Sequence, residues 1–170
     1  MENLKTSKAK AENANRILNA LTELEKEEIS TLLNEIKSMH GYANELLKQK
    51  EAGKICRDCE GECCKRTVEE EMVYEIDYFL AFTEMAEEER AKVIEALEID
   101  GGILKCRLSS NNGCLLPENA RPVVCKAYFC EKSEILEDEL IRLMIPVISK
   151  YLQLQFMLKT MGHEIGGPPE

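Results

Sequence analysis

Eight cysteines fall into two groups of four, and no cysteine lies outside them. The first group is the compact run Cys56-Arg57-Asp58-Cys59-Glu60-Gly61-Glu62-Cys63-Cys64, a C-x2-C-x3-C-C pattern. The second is looser: Cys106, Cys114, Cys125 and Cys130, spaced C-x7-C-x10-C-x4-C. Thiols dispersed through a core would not keep that division, so the pattern points to one shared task. Thiolates are soft donors that select zinc, Cu(I) or iron–sulfur clusters, and four of them complete a tetrahedral zinc site. Two groups of four are compatible with two mononuclear sites, one multinuclear site, or a [4Fe–4S] cluster with further cysteines around it. The C-x2-C spacing lets two sulfurs converge on one metal. The adjacent pair Cys63-Cys64 serves one ion poorly, because neighbouring side chains diverge. Such a pair feeds two metals, or one metal and a spare thiol, and so favours a compact multinuclear site over two separate zinc knuckles.

Metal ligation is preferred to a disulfide framework on grounds of compartment. Disulfides persist in oxidising surroundings. The opening residues Met1 to Lys5 lack the apolar stretch of a signal peptide, and Glu2 stands where myristoylation requires glycine. The expectation is a cytoplasmic, reducing location. The most apolar window, Leu140 to Leu158, is interrupted by Arg142, Pro146 and Lys150, so it reads as a buried helix and not a membrane span.

The formal net charge of −10 argues against nucleic acid or anionic membranes as partners. Around the cysteines the balance reverses. Over 54–66, Lys54, Arg57, Lys65 and Arg66 outnumber Asp58, Glu60 and Glu62 by one. Over 105–130, Lys105, Arg107, Arg121 and Lys126 outnumber the single Glu118 by three. Nearby cations lower thiol pKa and help to hold thiolates together.

With 170 residues the chain is expected to form a single domain over 1–170, burying roughly 70% of its unfolded surface. The fold class expected is mainly α: a helical bundle with an irregular cysteine-rich metal-binding patch and room for one small β-hairpin near 104–116. An N-terminal helical segment is predicted over 8–50. Ile17, Leu18, Leu21 and Leu24 form one stripe, and Ile29, Leu32, Ile36, Met39, Ala43 and Leu46 step by heptad spacing. It is expected as one long helix, or two broken near Gly41. The stripe suits packing within the fold, with a homodimer or another protein partner as the alternative use.

The cysteine-cluster core occupies 54–130. Thr67 with Glu70 matches a capping box. Met72, Ile76, Phe79 and Leu80 then give a helical face, and 86–98 another amphipathic helix with Val93, Ile94 and Leu97 inside. The turn cluster Ser109 to Gly113 would place Cys106 and Cys114 on two hairpin arms. A C-terminal helix is expected over 133–162, capped by Ser133 and kinked at Pro146, before a frayed tail from Gly166 to Pro169.

The cysteine spacing, with Gly61 before Cys63-Cys64 and Arg121-Pro122 before Cys125, resembles the YkgJ-type cysteine-cluster family, described as a zinc- or iron-chelating domain with eight cysteines. The resemblance covers roughly 56–130. It departs from the pattern at Leu116-Pro117, where many relatives would have an aromatic residue. It implies metal ligation by Cys56, Cys59, Cys63, Cys64, Cys106, Cys114, Cys125 and Cys130, with an iron–sulfur cluster or zinc as cofactor. Flagellin lysine N-methylases carry a similar cluster and look like iron–sulfur enzymes, which gives the alternative of a redox or transferase enzyme. No nucleotide-binding loop supports that transfer. The C-x3-C-x2-C order of radical S-adenosylmethionine enzymes is reversed in this chain.

Conventional catalytic motifs are missing: no G-x-S-x-G, Walker loop, G-x-G-x-x-G or H-E-x-x-H occurs. His40 and His163 read as surface residues, and Glu69 to Glu71 and Glu87 to Glu89 as solvated helix faces. Arg121 is the leading residue outside the cysteines, suited to a hydrogen bond with a thiolate or loop carbonyl, and Pro122 would stiffen the approach to Cys125. The expectation is a metal-holding module or partner-binding protein.

Overall fold

The computed structural model describes residues 6–49, 73–98, 107–110, 113–127 and 137–168. The expected helix starts at Thr67 and Ser133, and the Gly101-Gly102 stop, lie outside them. The chain is mainly helical: α1 (Ser7–Ala20), α2 (Glu23–Gln49), α3 (Glu75–Phe82), α4 (Glu87–Ala96), α5 (Val123–Ala127) and α6 (Glu137–Thr160). A two-residue ladder pairs β1 (Ser109–Ser110) with β2 (Gly113–Cys114), Ser109 opposite Cys114. It lies within the window marked by the turn cluster, and Leu115 N donates to Leu108 O at 2.7 Å just beyond it.

α1 starts at Thr6, whose Oγ1 accepts from Ala9 N at 3.2 Å. It buries Ala11, Ala14 and Ile17, and the two alanines let its backbone lie close along α3. The chain leaves helix at Leu21, well before Gly41. The cause is a capping box that sequence reading passed over. Thr22 N and Thr22 Oγ1 donate to Glu25 Oε2 at 2.8 and 2.7 Å, and Glu25 N donates back to Thr22 Oγ1 at 3.3 Å. The break resets the helical phase, so Leu24 does not continue the α1 stripe and is 74% exposed.

α2 then runs unbroken through Gly41. Its buried face is Ile29, Leu32, Ile36, His40, Ala43 and Asn44, and it packs along α6. Met39 and Leu46 from the expected stripe pack at its margin. α6 answers with Met144, Val147, Tyr151, Leu154 and Leu158, a 3-4-3-4 seam. It continues through Pro146, which sits on the exposed side.

α3 is the centre: all eight of its residues are buried, including Glu75 and Asp77. A helix apolar nearly all round must be covered on every side. α1 covers one flank, and the single 3-10 turn Glu118–Ala120 covers another. The tail supplies a further cover and is not frayed as the sequence suggested. Ile76 N donates to Gly166 O at 3.0 Å, satisfying one of the amide groups that a helix start leaves without partners. Glu75 Oε2 accepts from Gly166 N at 2.6 Å and Asn13 Nδ2 at 3.0 Å. Ile165 is buried beneath, and its carbonyl accepts from Gln155 Nε2 at 3.0 Å.

The turn that sends the tail back is a Schellman motif at the end of α6. His163 N donates to Leu158 O at 2.8 Å and Gly162 N to Lys159 O at 3.0 Å, with Gly162 at φ +88°. The two glycines should therefore respond oppositely to alanine. Gly162→Ala is expected to destabilise the protein by about 1–2 kcal/mol, the cost of a left-handed L-residue. Gly41→Ala, where an added Cβ meets nothing within 4 Å, is expected to stabilise it by about 0.5–1 kcal/mol. Urea denaturation midpoints of the two variants check both signs.

Candidate metal centre and the buried polar chain beside it

Of the eight sequence-predicted ligands, Cys56, Cys59, Cys63, Cys64, Cys106 and Cys130 lie outside the described residues. Cys114 ends β2, half-buried and packed against the core. Cys125 sits in α5, exposed. Neither is in a disulfide, and no group of three potential metal ligands occurs among the described residues.

The segment between these two thiols is fixed to the helices. Leu116 and Ala120 are buried in the core and anchor the segment there. Asn44 Nδ2, from α2, donates to Glu118 O at 3.1 Å and Asn119 Oδ1 at 2.9 Å. Pro122 is buried at the entry to α5, where its carbonyl accepts from Cys125 N at 3.0 Å. Arg121 is half-buried, and its Nε has no hydrogen-bond partner among the described residues.

Lys126, one residue beyond Cys125, points the other way. Its side chain enters the core with only 2% exposure, and Nζ lies 2.8 Å from His40 Nδ1. His40 Nε2 lies 3.0 Å from the Tyr151 hydroxyl. His40 is 1% exposed, which corrects its reading as a surface residue. His163 is also mostly covered, 3.6 Å from Glu25. Beyond Tyr151 stands Asp77 of α3, 2% exposed, whose Oδ2 accepts from Tyr74 N at 2.9 Å. Thus Lys126, His40, Tyr151 and Asp77 bring α5, α2, α6 and α3 together through one buried polar chain.

The protons can be assigned by elimination. Lysine carries no acceptor when charged, so Nζ donates to Nδ1. Nδ1 as acceptor makes Nε2 the protonated nitrogen of a neutral ring, donating to the Tyr151 oxygen. The tyrosine hydroxyl is then left to orient toward Asp77. Burial agrees with the neutral His40 ring. It pushes His40 down to about 3, with the Lys126 cation acting in the same direction. Burial, and then the Arg121 charge, pushes Lys126 down to about 7, against weaker attraction from Glu118, Cys125 and Glu84. Burial raises Asp77 to about 6, opposed by the Tyr74 amide and the facing Tyr151 hydroxyl. Tyr151 is raised well above its ordinary value by burial and by Asp77. Asp77 Oδ1 has no hydrogen-bond partner among the described residues.

Sequence reading passed over Tyr151 and Asp77, took His40 for a surface residue, and placed Lys126 among the cations that support the thiolates. The signal was present for His40, which stands four residues after Ile36 and three before Ala43 on the apolar stripe. Asp77 was equally marked, as the one charge in the otherwise apolar run from Ile76 to Phe82.

No family model matches the chain, and comparisons with curated proteins and with solved structures return no match. No helix among the described residues is long and apolar enough to cross a membrane.

His40 and Asp77 should give opposite pH slopes. An unfolded histidine takes up its proton near 6.5, so the His40 contribution is complete above that pH and is lost as pH falls toward 3. The Asp77 contribution is complete below its ordinary 3.8 and is lost as pH rises through about 6. In His40→Gln, stability is expected to fall as pH rises from 4 to 6; in Asp77→Asn, it is expected to rise over the same interval. Urea midpoints at half-unit pH steps measure both.

Proposed function

We propose that this chain is a thiolate metal-binding protein of the YkgJ type, holding zinc or an iron–sulfur cluster through its two cysteine groups. The observation that carries the reading is the division of all eight cysteines into C-x2-C-x3-C-C and C-x7-C-x10-C-x4-C, with Arg121-Pro122 ahead of Cys125. The donor set suits a soft metal. Cys114 and Cys125 belong to a segment tied down through Leu116, Ala120 and Asn44, so their backbone positions are set by the helical core. Arg121 stands close by, with its Nε unspent among the described residues, and suits compensation of thiolate charge.

Cys56, Cys59, Cys63, Cys64, Cys106, Cys114, Cys125 and Cys130 would hold the metal; zinc would supply structure, and an iron–sulfur cluster electron transfer. The protein's own part is to present thiolates, keep cations beside them and offer a helical surface. That role is a metal-holding or partner-binding module in a reducing cytoplasm. An iron–sulfur redox or transferase enzyme is the weaker reading, because no substrate-handling residue can be named for it.

Protein purified without oxygen is expected to contain stoichiometric zinc, or iron with broad visible absorption, by elemental analysis and spectroscopy. Its thiols should react slowly with a disulfide reagent until a chelator is added. Cys125→Ser should lower the metal content. Because apolar side chains such as Ile17, Ile36, Phe79 and Leu154 fill the core among the described residues, chelation should leave most of the helical circular dichroism intact. Metal-free protein with all eight thiols immediately reactive overturns the reading.

A further inference from the structure

A cleft of about 530 Å3 opens where the end of α1 and the first half of α2 meet the end of α3 and the start of α4, within the size range of small-molecule sites. Its floor is apolar, with Ile29, Leu33 and Phe82, and its charged groups are all cationic: Lys26, Lys37 and Arg90. Among the described residues no aspartate or glutamate lines it, in a chain whose net charge is −10. Lys26 and Lys37 already have carboxylate neighbours, Glu23 at 2.7 Å and Glu84 at 3.2 Å. Arg90 differs. Its Nε is buried and has no hydrogen-bond partner among the described residues.

The Arg90 guanidinium lines the cleft and has no ion pair among the described residues, which favours an anionic ligand there. The head must present oxygen acceptors to the guanidinium, and the rest of the ligand must suit an apolar floor. A carboxylate at the end of an alkyl chain has both properties, and its charge complements the three cations. We propose that this cleft binds an amphiphilic carboxylate of medium chain length, the head on Arg90 and the chain along Ile29, Leu33 and Phe82. Among the described residues no cysteine lines the cleft, and the proposal does not rest on the metal-binding reading.

The probes are octanoate, decanoate and decanol, titrated calorimetrically into the full-length protein below their aggregation limits. Saturable 1:1 binding of decanoate is expected, with affinity rising by up to about fourfold per added methylene. Decanol should bind at least about tenfold more weakly, through loss of a charge-assisted hydrogen bond. Arg90→Gln should remove the preference for carboxylate over alcohol while keeping the dependence on chain length. Ser30→Phe, which fills the cleft from a half-buried position on α2, should weaken both probes at least about tenfold. Circular dichroism establishes that both variants fold. Absence of saturable decanoate binding overturns the proposal. So does equal affinity for decanoate and decanol, or unchanged affinity in folded Ser30→Phe.

Discussion

The structure depends on burying α3 completely. A helix of eight residues contributes little stability from its own hydrogen bonds, because nucleation is costly and the run is short. It persists because every face is covered, and that requirement shapes its neighbours. α1 brings Ala11 and Ala14 to it, residues small enough for close backbone approach. The turn at Glu118–Ala120 closes another face, and the tail reaches Ile76 and Glu75. Two carboxylates go down with the helix. Glu75 is met by Asn13 and Gly166, whereas Asp77 is incompletely met, and burial raises its pKa.

How far the sequence disclosed this depends on the kind of signal. Periodicity identified α2, α4 and α6, and the apolar faces through Ile29, Ile36, Val93 and Ile76 are buried as their spacing implies. Apolar spacing carries such information because burial is cooperative along a helix face. It failed where a local polar device outweighed it. Thr22 and Glu25 divide α1 from α2 despite a continuous apolar stripe, whereas Gly41 leaves its helix whole. Long-range docking was invisible as well. Nothing local in Gly166 announces that its amide will meet a carboxylate 91 positions away. Polar burial was the third blind spot: His40 and Lys126 become buried only because four helices converge on them. In the cysteine region the pattern speaks for chemistry, while the described structure concerns only Cys114 and Cys125.

Lys126 and Cys125 belong to one short helix with opposite outlooks, one side chain drawn inward and the other exposed. Five residues do not form a stable helix alone, so α5 is held by what Lys126 and its neighbours reach. The polar chain from Lys126 to Tyr151 thereby fixes the orientation in which Cys125 meets solvent. Polar burial is costly where a purely apolar core would serve, and one attested return is a unique arrangement of the packed elements.

The turn at Gly162 sets an order of events during synthesis. α3 is made long before Gly166, which supplies the partner of the Ile76 amide and one of the partners of the Glu75 carboxylate. Contacts over such separations form late, since the intervening chain must first be closed into a loop. A growing chain therefore carries an apolar segment with an unfinished end until Gly166 has emerged. A chaperone in attendance meets that open end throughout the synthesis of the intervening helices.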